Sequence, residues 1–191
     1  MFVLALALQS GAGLSPIHAG NVFVAMGVAY FIGSLLSARS VAWLGRNRVL
    51  IVGCVIQMGG LLVLMATLHR VWPQPGIVNL APATMIIGFG QAFIVGSFFR
   101  IGLADVPADQ GGAGSAMLST MQQACFGLGS ALLGAVFAET LQHSGKYLNA
   151  AIAGLVAEFC LMLILLFSAI AYDRKHGHST AVADVPVSMA D

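Results

Sequence analysis

A chain of 191 residues that is 59% hydrophobic and 8% charged, with mean hydropathy +0.92, has too few charges to clothe a water-facing surface; soluble domains carry about 25% charged residues. Eight Lys plus Arg against seven Asp plus Glu leave a net charge of +1, which excludes an electrostatic footing on nucleic acid. The same composition excludes intrinsic disorder for the bulk of the chain, and what remains is an integral membrane protein with the lipid bilayer as its solvent.

Met1–Leu8 is apolar but about half the length needed to cross, since about 20 residues at 1.5 Å each span a hydrocarbon core. No Lys or Arg precedes it, which argues against a signal peptide. It reads as the tail end of a longer span whose beginning is missing. Five blocks of full crossing length follow: Ala19–Ala38, Val49–Leu68, Val78–Phe98, Gly114–Ala138 and Ala150–Tyr172. Each is expected to be a helix, because an open sheet leaves backbone groups unpaired in lipid, and no strand alternation suggests a barrel. The predicted fold is therefore all-α: a bundle of five complete transmembrane helices plus one truncated N-terminal helix over 1–172, followed by a disordered cytoplasmic tail over 173–191.

The charged residues between blocks set the orientation. Arg39, Arg46, Arg48, Arg100, Arg174 and Lys175 fall on one side, and only Arg70 and Lys146 on the other. Six against two predicts that the first side, with the C-terminus, is cytoplasmic. Trp72, Pro73, Pro75 and Gly76 form an outer turn with Trp72 as interfacial anchor, and Pro82 reads as an opening residue of its span, where a missing N–H costs little.

Within the spans, Gly88, Ala92 and Gly96 form one stripe of small residues, and Gly127, Ala131 and Ala135, with Gly134 beside them, form another. Such stripes let helix backbones approach closely in lipid, where water no longer drives association. Four glutamines, Gln57, Gln91, Gln122 and Gln123, lie well inside spans, where a carboxamide needs either a bonding partner or a wet cavity. They are candidates both for helix-to-helix bonding and for lining a substrate path. Gln122 and Gln123 point about 100° apart and cannot share one narrow face. Glu158 is the only carboxylate inside a span and continues the stripe Ala150, Gly154, Glu158. An acid at that depth is costly and is a candidate for proton coupling, with a bonded structural acid as the plain alternative.

Chemistry-bearing motifs of other kinds are missing. Cys54, Cys125 and Cys160 are odd in number and lack ligand spacing, which leaves them a packing role. His176 and His178 are too few for a metal tract, and no cofactor is implied. No nucleophile meets a partner base, and Gly111-Gly112-Ala113-Gly114 lacks the lysine of a phosphate loop, so an enzyme is not expected.

Several runs resemble a known family. Leu8-Gln9-Ser10-Gly11 with Leu14-Ser15-Pro16-Ile17-His18-Ala19-Gly20 is similar to the outer loop before the second half of drug exporters in the major facilitator superfamily, in particular the fourteen-span drug:proton antiporter (EmrB/QacA-like) group. Gly45-Arg46-Asn47-Arg48, with Arg39 ahead of it, resembles the superfamily's cytoplasmic loop motif, except that Ala42 stands at its acidic position. Gly88-Phe89-Gly90, Val106-Pro107, Gly111, Gly114-Ser115, Gln122-Gln123 and Gly129-Ser130-Ala131 are similar in order and spacing to the group's late spans. The resemblance implies the C-terminal portion of a proton-coupled multidrug efflux permease in a bacterial inner membrane. Small amphiphilic organic molecules and protons would be its cargo, and the missing N-terminal half, or a second copy, would complete it. The alternative is a small non-transporting membrane scaffold that packs on a partner through its Gly/Ala stripes.

Overall fold

Lipid contact accounts for the secondary structure: a chain this apolar must satisfy its backbone internally, and all regular structure among the described residues is helical. The computed structural model describes residues 2–176, so residues 177–191 of the predicted tail lie outside the described residues. Helix α1 (Phe2–Gly11) is short, with its last five residues wound as a π-turn. Then come α2 (Pro16–Leu44), α3 (Arg46–Val71), α4 (Ile77–Gly102), α5 (Gly111–Ser144) and α6 (Tyr147–His176). The five long helices are each apolar enough to cross a bilayer, and the chain is a multi-pass membrane protein.

The helices outrun the apolar blocks at their ends, because charged residues beyond the hydrocarbon still suit a helix. Ser15 caps α2 by accepting from the His18 N–H, with Pro16 at the first helical position. At its other end α2 carries Arg39 inside the helix and runs to Leu44. The expected loop Arg39–Arg48 is reduced to a single residue, Gly45, whose φ of +84° lets the chain reverse without a linker. The glycine run 111–114 forms the first turn of α5 rather than a loop. Pro82 lies in the second turn of α4, since that helix starts at Ile77, and not at its opening. Asp173 to His176 extend α6, so this start of the predicted tail is helical.

Helix α4 is the centre, packed on α2 along one side and on α3 along the other; α6 packs on α3, and α5 on α6. The short α1 wedges beside α5 and α6 at the less basic end of the bundle. There it joins a core of Leu4, Leu8, Val22, Leu61, Leu64, Leu68, Leu80, Ile87 and Leu155. A second cluster sets Val3 and Ala7 against Phe137, Ala150 and Ala151.

Close approach carries the α2–α4–α3 unit, as expected where lipid tails compete with apolar side chains. On α4, Gly88 meets Met26 of α2, Ala92 meets Gly33, and Gly96 leaves room for Ser37. On the opposite face Gly90 sits over the α3 backbone at Gly53 and Gln57, and Gly60 receives Ile87. Thr84, fully buried, donates to the Val22 carbonyl at 3.3 Å and ties α4 to α2. Helix α5 differs from all of these. Of its 34 residues only Phe137 is buried, and it barely touches α4, its neighbour in sequence.

Candidate functional site

Because α4 and α5 part company, a groove opens between α2, α4 and α5. It has a volume of about 360 Å³ and is lined by Met26, Gly27, Tyr30, Gln91, Val95, Gln122 and Phe126. These positions lie near the middle of their helices, and none is charged. A phenol and two carboxamides thus share an otherwise apolar wall. Such a wall can accept and donate hydrogen bonds to an uncharged polar group while apolar faces take up the rest of a ligand.

The sequence-predicted residues separate in a way that helix geometry explains. Gln91 and Gln122 meet in the groove, from α4 and α5. Gln57 does not: it is 7% exposed and lies in the α3–α4 seam under Gly90, on the far side of α4. Gln123 is exposed, turned away from the groove by the 100° step that separates it from Gln122. Glu158 is half-buried on α6, outside the groove lining and one turn beyond Gly154, which packs against Val3 of α1. Gly88, Ala92 and Gly96 face α2, as described. The α5 stripe does not find a counterpart among the described residues: there, nothing lies within 4 Å of a side chain added at Gly127, Ala131 is exposed, and Gly134 meets Phe2 alone.

The arginines gather at the basic end. Arg39 is exposed on the last turns of α2. Gly45 is the pivot between α2 and α3, and Arg46 donates to the Arg100 carbonyl at 3.5 Å. The Arg100 guanidinium in turn donates to Ser37 at 3.1 Å, in the space that Gly96 leaves open. Asn47 bonds the Ala169 carbonyl at 2.9 Å and the Asp173 carboxylate at 3.1 Å, and Arg48 lies 3.8 Å from the same carboxylate. The α2–α3 corner is therefore fastened to the end of α6 and, through Arg100, to α4.

Tyr30, Met26 and Phe126 were not singled out from the sequence, and neither was the Asn47–Asp173 contact. A tyrosine in mid-span was a usable signal for the first. Gly53, Gln57 and Gly60, at i, i+4 and i+7, were a usable signal for the α3–α4 seam. The Asn47 contact had none, being 126 residues apart in sequence.

Comparison with known proteins gives a consistent direction. The chain is 31% identical over 135 residues, 71% of its length, to the probable actinorhodin transporter of Streptomyces coelicolor, of which it covers 23%. It is also 31% identical over 129 residues, 68% of its length, to the puromycin resistance protein pur8 of Streptomyces alboniger, of which it covers 26%. The chain thus spans about a quarter of the length of these curated relatives. No family model matches it, and no solved structure does. The similarity is to transporters of the major facilitator kind and does not single out the fourteen-span drug:proton group.

Proposed function

We propose that this chain is one wall of a proton-coupled efflux permease of the major facilitator superfamily, in the fourteen-span drug:proton group, set in a bacterial inner membrane with its C-terminus cytoplasmic. Its cargo in this reading is small, amphiphilic organic molecules. The observation that carries the proposal is the mid-membrane groove, where Tyr30, Gln91 and Gln122 converge on a wall otherwise apolar. Membrane transporters place substrate sites near the bilayer midplane between bundles, so a groove at half-height on an uncovered face is where a second bundle would close a cavity. The names of the relatives, one a transporter of actinorhodin and one a puromycin resistance protein, support export of such compounds. Their greater length supports a larger assembly around this bundle.

In the proposed cycle, Gln91 and Gln122 bond the polar edge of the cargo while Met26, Val95 and Phe126 cover its apolar face. Arg46, Asn47 and Arg48 hold the basic end closed through Asp173 and Arg100. Glu158, half-buried on α6, takes and releases the coupling proton. The test is efflux of a fluorescent lipophilic dye from cells expressing the chain from its own locus. Gln91→Ala and Gln122→Ala are expected to lower efflux about three- to tenfold each, the loss of one hydrogen bond to bound cargo, while Gln123→Ala leaves it unchanged. Equal efflux in all three overturns the groove as substrate path. Glu158→Gln is expected to abolish the response of efflux to an imposed proton gradient; an unaltered response removes Glu158 from the coupling role.

The unfilled α5 stripe favours, as a second reading, a scaffold that recruits a partner helix over Gly127 and Ala131. Dye efflux that requires Gln91 and Gln122 would decide for the exporter.

A further inference from the structure

The glycines of α2 are of two kinds. A Cβ at Gly33 would press on Ala92 at 3.0 Å and on the Phe89 carbonyl oxygen at 3.1 Å, so contact with α4 accounts for that glycine. At Gly27 nothing among the described residues lies within 4 Å of an added Cβ, and φ there is not positive. Neither packing within this bundle nor backbone conformation calls for glycine at 27. Gly27 does line the mid-membrane groove, where it leaves the α2 main chain bare beside Met26 and Tyr30. A bare helix backbone on a cavity wall lets a ligand approach more closely than any side chain would allow. The polar groups of the groove are also unspent. Tyr30, Gln91 and Gln122 are half-buried, and none of their side chains has a hydrogen bond among the described residues. Charge is lacking: no carboxylate lines the groove, and Glu158 lies outside its lining.

We propose that Gly27 sets the specificity of this groove, and that the cargo it admits is a flat, uncharged aromatic molecule with a hydrogen-bond donor and an acceptor on its edge. The inference rests on the reading of the groove as a binding path. One face of the ring system lies on the α2 backbone at Gly27, and the Phe126 ring of α5 gives an aromatic partner for stacking. The edge meets Tyr30, Gln91 and Gln122; a carboxamide offers both a donor and an acceptor, and a phenol does the same. A fixed cation would leave water for a wall with no counter-charge, which is costly. A globular body cannot lie close to the main chain and stack on a ring at once. A side chain at 27 would occupy the place of the cargo.

Three probes of similar bulk separate these features: 2-naphthamide is flat and neutral, 1-adamantanecarboxamide carries the same amide on a globular body, and 1-methylquinolinium is flat with a fixed positive charge. Membranes from cells expressing the chain from its own locus are titrated with tritiated 2-naphthamide, against membranes lacking the chain, and the other two probes compete. The globular amide is expected to bind about three- to tenfold more weakly than the flat one, and the cation about tenfold more weakly. Gly27→Val is expected to weaken 2-naphthamide about tenfold. Gly20→Val, on the same helix, equally open and outside the groove lining, leaves binding unchanged. Phe126→Leu, which keeps apolar bulk but removes the ring, is expected to cost about threefold. Both valine variants should unfold alike; a Gly27→Val chain that unfolds far more readily than Gly20→Val overturns the premise that position 27 is unpacked. Equal binding of the two amides overturns the flat slot, and a cation bound as tightly as 2-naphthamide overturns the selection for uncharged cargo. Full binding by Gly27→Val leaves Gly27 to seat a neighbouring helix and overturns its role in specificity. The export reading fails separately: Gly27-dependent binding of 2-naphthamide without dye efflux keeps this ligand class and retires export, whereas efflux that needs Gln91 and Gln122 with both amides bound equally keeps export and overturns this inference.

Discussion

A side chain added at Gly90 has nowhere to go, which makes the α3–α4 seam open to a quantitative test. A Cβ there would lie 2.6 Å from the Gln57 backbone nitrogen and 2.8 Å from the Gly53 carbonyl oxygen. Ordinary contact begins at 3.4 Å, so the two backbones must part by about 0.8 Å, and neither neighbour is a side chain that can swing away. Overpacking a fitted interior costs about 1–3 kcal/mol. Alanine also gains up to about 1 kcal/mol over glycine in helix propensity. Gly127→Ala supplies the control, since it has the same chemistry in a helix interior with nothing within 4 Å. The propensity gain cancels between the two variants, so their difference isolates the overpacking cost. Gly90→Ala should therefore unfold about 1–3 kcal/mol more easily than Gly127→Ala. The assay is unfolding in mixed micelles at rising dodecyl sulfate fraction, followed by far-ultraviolet circular dichroism. Coincident curves would refute the argument that backbone contact, rather than general apolarity, holds α3 to α4.

Two further outcomes follow from single polar atoms. Asn47→Ala removes bonds to the Ala169 carbonyl and the Asp173 carboxylate, and should cost about 1–2 kcal/mol while raising hydrogen exchange at the end of α6, read by mass spectrometry. Ser97 is fully buried and its hydroxyl has no hydrogen-bond partner among the described residues, so Ser97→Ala should be neutral or stabilising by up to about 1 kcal/mol in the same unfolding assay; a clear loss would reveal a partner for that hydroxyl.

Reading the candidate site from sequence succeeded where one helix decides the matter and failed where two must meet. Gln122 and Gln123 were separable beforehand, because the 100° step between neighbours is a property of any helix. Gln57 and Gln91 were not. Each is a carboxamide in mid-span, and only the placement of α4 between α2 and α3 puts one in a seam and the other in a groove. The two small-residue stripes look alike in sequence, yet Gly88, Ala92 and Gly96 are covered by α2 while Gly127 and Ala131 are bare.

Composition and the spacing of charged residues were enough, without coordinates, to establish five membrane-length helices, because the bilayer imposes length and backbone satisfaction on each segment separately. The order of packing, the gap between α4 and α5, the pairing of Gly53 with Gly90 and the meeting of Asn47 with Asp173 belong to the tertiary structure alone. Lipid tails are as apolar as leucine, so hydrophobicity marks which segments leave water but carries almost no information about which helix lies beside which. That choice is made by shape, where a glycine on one helix happens to face a backbone on another.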